Sequence, residues 1–234
     1  MAKNQLFILF VVLGFLISAQ KATAQNFQVS LDGGVGVPQK DFRTQLDNIG
    51  GTLAVFGGYQ LPGSPLMIGL DLGLMNFGID RRDEPLSTTI PDLTVRVENS
   101  YNLFYSDLVF RLIPPSGPIR PYLDLLAGFN YFYTETSIRD RRNFFEEPVI
   151  SDTNFDDFAW NYGFGAGTLI QVSRGSRGTG AIYLNLSARY IYGNEAEYLQ
   201  SGSITIDENS NVFYDVSRSI TDLLHIRVGV TVNL

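Results

Sequence analysis

The chain has no cysteine and a single histidine. No disulfide can brace it, so an exported form must be stable by other means. Lysine is nearly as scarce: beyond residue 25, Lys40 is the only one. Soluble domains usually cover themselves with lysine and glutamate, so something other than water covers much of this surface. Long apolar runs are missing too. Residues 6–19 form the one apolar stretch of note, and fourteen residues fall short of the ~20 that a membrane helix needs. Lys3 precedes this stretch and Ala22-Thr23-Ala24 follows it. Residues 1–24 therefore read as a secretory signal peptide cut after Ala24, leaving 25–234 as one domain. Losing Lys3 and Lys21 from the 17 basic residues leaves 15 against 24 acidic ones, a net charge of −9. That balance speaks against a nucleic-acid partner.

What is present is period two. In the last segment Leu224, Ile226, Val228, Val230, Val232 and Leu234 alternate with His225, Arg227, Gly229, Thr231 and Asn233. This is a strand with one apolar face and one polar face, and it reaches the final residue. The same alternation recurs over residues 26–37, 51–61, 66–77, 93–112, 120–135, 157–173 and 181–193. The intervals alternate in character. Residues 62–65, 114–118 and 174–180 are short and rich in Pro, Gly or Ser. Residues 38–50, 78–91, 136–156 and 194–221 are longer and polar. Within the last, 203–206 and 212–216 flank a polar turn and read as a hairpin above the sheet. The pattern predicts an all-β fold: an eight-stranded antiparallel up-and-down transmembrane barrel with short periplasmic turns and long extracellular loops.

Period two alone does not say which face points outward. A soluble ligand-carrying barrel would turn the apolar face inward. Three features favour the membrane. The polar face carries Gly, Ser, Asn and Asp with a few arginines, not lysine and glutamate. Its small residues suit a narrow lumen. Aromatics on the apolar face gather at the loop ends, at Tyr131, Tyr133, Trp160, Tyr162, Tyr190 and Tyr192, as an interfacial belt does.

Signal peptide, eight alternating strands, aromatic belt and terminal strand together resemble the small outer-membrane β-barrel family of the OmpA/OmpX type. The resemblance spans the mature chain and rests on pattern. It implies a bacterial outer-membrane location, outer-membrane lipid as surroundings and the barrel assembly machinery as partner during insertion. The chain departs from many such proteins in ending at Leu234 rather than at an aromatic. With no segment following the barrel, the peptidoglycan-anchoring role of longer relatives does not carry over.

Parity places Asp32, Asp71, Asp107, Arg111, Asp124, Arg189, His225 and Arg227 in the lumen. Buried charges have to be paired, and eight strands leave a narrow bore. A fixed salt-bridge plug is therefore expected rather than an ion path. Arg111 and Asp124 should be neighbours near the 114–118 turn. Asp32 and Arg227 should lie at similar heights across the closing seam, and Asp71 and Asp107 should compensate Arg189. His225 has no serine motif to act with and reads as a hydrogen-bonded interior side chain. The triplets Asp152-x-Asn154-x-Asp156 and Asp207-x-Asn209-x-Asn211 mimic calcium spacing. Both lack the glycine at position six, where Asp157 and Val212 stand, and the glutamate at twelve, where Gly163 and Arg218 stand. They read as turn residues. Gly163, Gly165 and Gly167 share a strand face and are no phosphate loop. No metal or cofactor is expected. The reading is a non-enzymatic barrel with a structural, adhesive or envelope-integrity role and loops free to meet an extracellular or envelope protein. The alternatives are a subunit of a larger envelope or secretion complex, a lipid-modifying enzyme built on His225, and, least favoured, the soluble barrel.

Overall fold

A computed structural model describes residues 26–87, 90–140, 150–175, 180–206 and 212–234. The signal segment, Arg141, Arg142, Glu146, Glu147 and the triplet Asp207, Asn209, Asn211 lie outside the described residues. The barrel strands are β1 (Phe27–Pro38), β2 (Gly50–Gln60), β3 (Leu66–Ser87), β4 (Ile90–Leu112), β5 (Ile119–Asp140), β6 (Ile150–Ser173), β7 (Ala181–Gly193) and, last in the chain, β12 (Leu223–Asn233). Each pairs antiparallel with its neighbour in this order, and β12 closes the ring on β1. The seam runs from Gln28 opposite Asn233 to Pro38 opposite Leu223. Closure leaves no unpaired edge at membrane depth, which hydrocarbon demands. Gly63 and Gly117, with φ of 70° and 134°, make the tight turns after β2 and β4.

The apolar face points outward. Leu31, Leu53, Leu70, Phe110, Leu125, Phe164 and Val228 are exposed, while Asp32, Asp71, Asp107, Asp124, Arg189 and Arg227 are buried. The lumen also takes apolar side chains that share the inward parity, among them Phe56, Leu103, Val109, Leu126 and Leu169.

The outer connections differ from the expectation of loops. The described residues of 78–91 and 136–156 are strand: β3 and β4 stay paired out to Ser87 and Ile90, and β5 and β6 to Ile138 and Ile150. Above the membrane neither face meets lipid, so the hydrophobic alternation is lost in the outer parts of β3, β5 and β6, though not of β4, while backbone pairing continues. Polar cross-strand pairs hold these extensions, including Arg81 with Glu98 at 2.8 Å and Asn76 with Asn102 at 2.8 Å. Asp152, Asn154 and Asp156 accordingly lie on β6 and not in a turn. Between β1 and β2 the chain forms a short helix, α1 (Lys40–Gln45), whose Phe42 is fully buried. In the last connection β9 (Ile204–Ile206) pairs with β10 (Val212–Tyr214) as the expected hairpin. A second pair, β8 (Glu195–Tyr198) with β11 (Ser217–Ile220), frames it.

One packing rule runs round the interior. Large inward side chains lie across inward glycines on the neighbouring strand. Asp32 stands opposite Gly229, Arg227 opposite Gly34, Tyr105 opposite Gly73, Asp107 opposite Gly128 and Arg189 opposite Gly165. A Cβ on Gly34 would come within 2.8 Å of the Arg227 Cα, and one on Gly128 within 2.5 Å of the Asp107 carboxylate. At these five positions the bore takes a large side chain because the next strand supplies none, whereas Arg111 and Asp71 face side chains on both neighbouring strands.

Val228 sits at the middle of β12 and is 51% exposed. Val228→Arg should lower stability by about 2–4 kcal/mol, the penalty for arginine on the lipid face near the midplane. Urea titration of protein refolded into lipid vesicles measures it. A loss below about 0.5 kcal/mol, far under that penalty, would place Val228 away from lipid. Thr231→Ser, which retains the inner hydroxyl that meets Ser30 at 2.7 Å, is the control.

Candidate functional site

The lumen is filled in three tiers. Nearest the periplasmic turns, Arg120 is fully buried; its Nε donates to the Pro114 carbonyl at 2.7 Å and Nη2 to Gln60 Oε1 at 3.0 Å. Gln60 in turn donates to the Ile113 carbonyl at 3.1 Å. The arginine thus ties the β4–β5 turn to β2. The lumen set read from sequence omits Arg120. It shares parity with Tyr122 and Asp124, but its place at the very start of β5 hides it among turn residues.

The middle tier is ionic. Arg111 faces Asp124 directly across β4–β5, with Nε to Oδ1 at 2.7 Å and Nη2 to Oδ2 at 3.0 Å. This is the bidentate fork that guanidinium geometry favours. Its planar group lies 3.8 Å from the Tyr122 ring centroid and 4.3 Å from that of Phe56. Arg189 crosses the bore from β7, donating to Asp124 Oδ2 at 2.8 Å and also to Asp71. Arg227 reaches Asp71 Oδ2 at 2.8 Å and the Tyr105 hydroxyl at 3.2 Å.

Asp71 compensates Arg189 as expected but Asp107 does not, and the seam neighbours Asp32 and Arg227 lie at similar heights without pairing. Asp32 and Arg227 stand two residues apart along the seam, each opposite a glycine, and Arg227 turns across the bore. Asp32 instead accepts from Asn185 Nδ2 at 2.7 Å, and Asn185 accepts from the Tyr122 hydroxyl at 2.7 Å. Asp107 stands in register with Asp71, but among the described residues it pairs with no arginine; Arg189 takes Asp124 in its place. Both acids lean over glycine, and Arg189 starts nearer the level of Asp124. His225 is buried with its ring 5.2 Å from that of Tyr105. Neither ring nitrogen has a hydrogen-bond partner among the described residues. The expected hydrogen bonding is therefore absent there, and so is the serine or carboxylate contact that nucleophile activation needs. His225 stands in register with Gly36 on β1 and Arg189 on β7.

The upper tier is apolar. Phe42 of α1 drops into the mouth, edge-on to Phe77 at 5.7 Å, Phe132 at 5.9 Å and Tyr198 at 5.1 Å. Leu46, Tyr101, Leu103 and Leu199 complete this cap. A cavity of about 10 Å³ lies among them, roughly one water-sized sphere. Phe42 and Leu46 are lone apolar residues in a polar stretch, too few to show a period.

Above the cap, Asp80 on β3 clasps the last connection. Its carboxylate accepts from the Gly202 N–H at 2.8 Å, the Tyr101 hydroxyl at 2.9 Å and the Ser201 hydroxyl. Burial alone raises the Asp80 carboxyl. The hydrogen bonds from Ser201, Gly202 and Tyr101, with the nearby charge of Arg82, outweigh it and hold the group below its ordinary value.

On the outer wall the six aromatics expected as a belt lie on β5, β6 and β7. Tyr131 stacks on Tyr133 at 5.6 Å and Tyr162 on Tyr192 at 5.4 Å, with Trp160 and Tyr162 63% and 60% exposed. Phe27 against Tyr59, 5.0 Å apart, marks the opposite rim; both sit on the outward parity, which could have revealed them. Among the described residues no helix is long and apolar enough to span a membrane, and no His, Cys, Asp and Glu cluster has metal-ligand grouping.

A family model for the outer membrane protein beta-barrel domain matches residues 7–212. Neisserial surface protein A is 13% identical over 89% of this chain and 97% of its own, with a TM-score of 0.49. A major outer membrane protein of Thermus thermophilus is 13% identical over 88% and 98%, TM-score 0.41. Ail, the attachment invasion locus protein of Yersinia pestis, is 14% identical over 88% and 95%, TM-score 0.30. No curated protein matches the chain.

Two outcomes are expected from this arrangement. Arg227→Ala leaves part of the Asp71 charge uncompensated and should destabilise the barrel by about 3–5 kcal/mol in urea titration; a change within about 0.5 kcal/mol would mean Arg227 is dispensable. Asp80 binds its proton less readily in the folded state, so its clasp is at full strength above the unfolded carboxylate value of about 3.9. The clasp is lost as pH falls from there through the lower folded value. The protection factor of the Gly202 amide, its exchange rate divided into the intrinsic rate at the same pH, should fall over that window, and in Asp80→Asn the pH step should vanish.

Proposed function

The chain belongs to the outer membrane protein beta-barrel domain family, and from that premise we propose that it is a closed, non-enzymatic wall protein of the bacterial outer membrane whose work is done by its outer loops. The filled lumen carries this reading. Arg120 with Gln60, the Arg111–Asp124–Arg189–Asp71–Arg227 chain and the Phe42 cap occupy successive levels of one narrow bore. A passing ion would have to break buried, bidentate ion pairs and then part an aromatic cluster. The isolated ring of His225 supports the absence of acid–base chemistry, since a working histidine is oriented by a hydrogen bond to its second nitrogen.

The outer face supports an adhesive or envelope-binding role. The paired extensions of β3 to β6 stand beyond the membrane segments, and Phe213, Tyr214, Val216 and Ile220 expose apolar surface on the last connection. Apolar surface in this amount on a water-facing element marks contact with a partner. Purified protein in a planar lipid bilayer should show no steady conductance. A stable open channel in the wild type would reject the closed wall, whereas brief openings appearing only in Arg189→Ala or Phe42→Ala would identify the tier that seals it.

A further inference from the structure

We propose that the outer wall over β6, β7 and β12 is a binding site for one phosphate-bearing anionic lipid of the outer leaflet, its acyl chain in a wall groove and its phosphate on Lys40. The groove is a depression of about 560 Å³ lined by Ala166, Thr168, Leu186, Ala188, Ile226 and Val228. It exists because register places two alanines side by side: Ala166 pairs with Ala188, which pairs with Ile226. Long side chains rise above this hollow at Phe164 and Tyr190, themselves a stacked register pair at 6.4 Å. A wall made only to face bulk lipid needs no such hollow, and neighbouring strands carry leucine and phenylalanine at comparable positions.

Charge lies directly above. Lys40 is the only lysine outside residues 1–24. Among the described residues it is also the only non-glycine with positive φ, 49°. That left-handed backbone is sparsely populated for side chains with a Cβ and is kept where surroundings impose it. Here the Gln39 N–H bonds the Asp222 carbonyl at 2.9 Å just before β12 begins. The result sets the Lys40 ammonium 5.8 Å from the Tyr190 ring centroid and 5.2 Å from that of Tyr192. Ala188 lies two and four residues below those tyrosines, about 7 and 13 Å along the strand. The ammonium therefore stands about one headgroup above the hollow, at the level of the aromatic belt. Asp222 Oδ2 holds Lys40 from beneath at 2.8 Å, yet the lysine side chain is 62% exposed and the aspartate side chain 3%. The carboxylate anchors the cation from the protein side and leaves its outer N–H donors to the headgroup layer. In a chain of net −9 after residue 24, this is the one wall position where an anionic lipid meets a fixed lysine rather than repulsion.

The site depends only on the outer-membrane location and stands or falls apart from the closed lumen. Native mass spectrometry of the full barrel, released from detergent micelles doped equally with phosphatidylglycerol and phosphatidylcholine of the same chain length, tests it. The wild type should retain one phosphatidylglycerol in preference to phosphatidylcholine by about fivefold, the effect of one lysine at an anionic surface. Lys40→Gln should abolish the preference while leaving lipid retention itself. Ala188→Phe, which fills the hollow from outside the lumen, should remove retention of both lipids. Inorganic phosphate should not compete, since without the acyl chain the groove contributes nothing. Equal retention of the two lipids by the wild type would overturn the proposal, as would Ala188→Phe retaining lipid like the wild type. Heat-modifiable mobility on gels checks that each variant is a folded barrel.

Discussion

The structure depends on the Arg189 guanidinium, which spans the bore between Asp124 on β5 and Asp71 on β3. A soluble β-domain is held together by apolar side chains meeting in its centre. Here most apolar side chains face the wall, because lipid lies outside, and the few inside, such as Phe56 and Val109, share the centre with charges. Opposite charges fit there only if each is desolvated together with its counter-charge. Arg111 and Arg227 extend the clamp to either side, so that three arginines and two aspartates form one connected body. The glycines opposite the large side chains follow from that body's size. The aromatic flanks of Arg111 follow too, since the flat faces of a guanidinium whose edge is occupied can still meet rings.

The strands themselves ignore the membrane boundary. β3 to β6 run on past the lipid with the same backbone pairing, and only the side chains change partners. Within the membrane the outer face is sorted by lipid and the inner by charge. Beyond it, Arg81, Glu98, Asn76 and Asn102 pair across strands in water. Just inside the mouth, Phe42, Phe77, Phe132 and Tyr198 do what an ordinary hydrophobic core does. The molecule thus has two cores of opposite chemistry stacked along one axis.

The sequence made the wall legible and the interior only partly so. Alternation of period two is imposed by lipid on one side and a polar bore on the other, and it survives in every strand at membrane depth. It tells which residues share a face, from Asp32 to Arg227, but carries nothing about which of them meet. Asp32 and Arg227 share the closing seam, yet each stands over a glycine and finds a partner elsewhere. Arg120 follows the same alternation and is masked by its turn. The outer parts of β3, β5 and β6 and the helix α1 left no periodic trace, because their environment is not split into two solvents. Phe42 illustrates the limit: one aromatic in a polar stretch packs into the mouth against Phe77, Phe132 and Tyr198, and no spacing announces it.

The inward glycines also fix how far each strand can slide. A one-residue slip would exchange the two faces and is forbidden outright. A two-residue slip keeps the faces, and its outcome differs from seam to seam. Between β3 and β4 it would drive the Tyr105 ring onto Asp71 or Met75 in place of Gly73, and between β4 and β5 it would set Asp107 against Leu126 or Asn130 in place of Gly128. Those seams tolerate one alignment. β6 is different, since Arg189 opposite Gly165 meets Gly163 or Gly167 after a two-residue slip either way, and Tyr122 opposite Gly167 meets Gly165 after a slip one way and Leu169 the other. The ratchet has a smooth tooth there. Alignment of β6 therefore rests on its outer half, where Trp160 faces Phe129 and Phe158 faces Tyr131. Those outward aromatic pairs are in this way also the gauge that sets the register of β6.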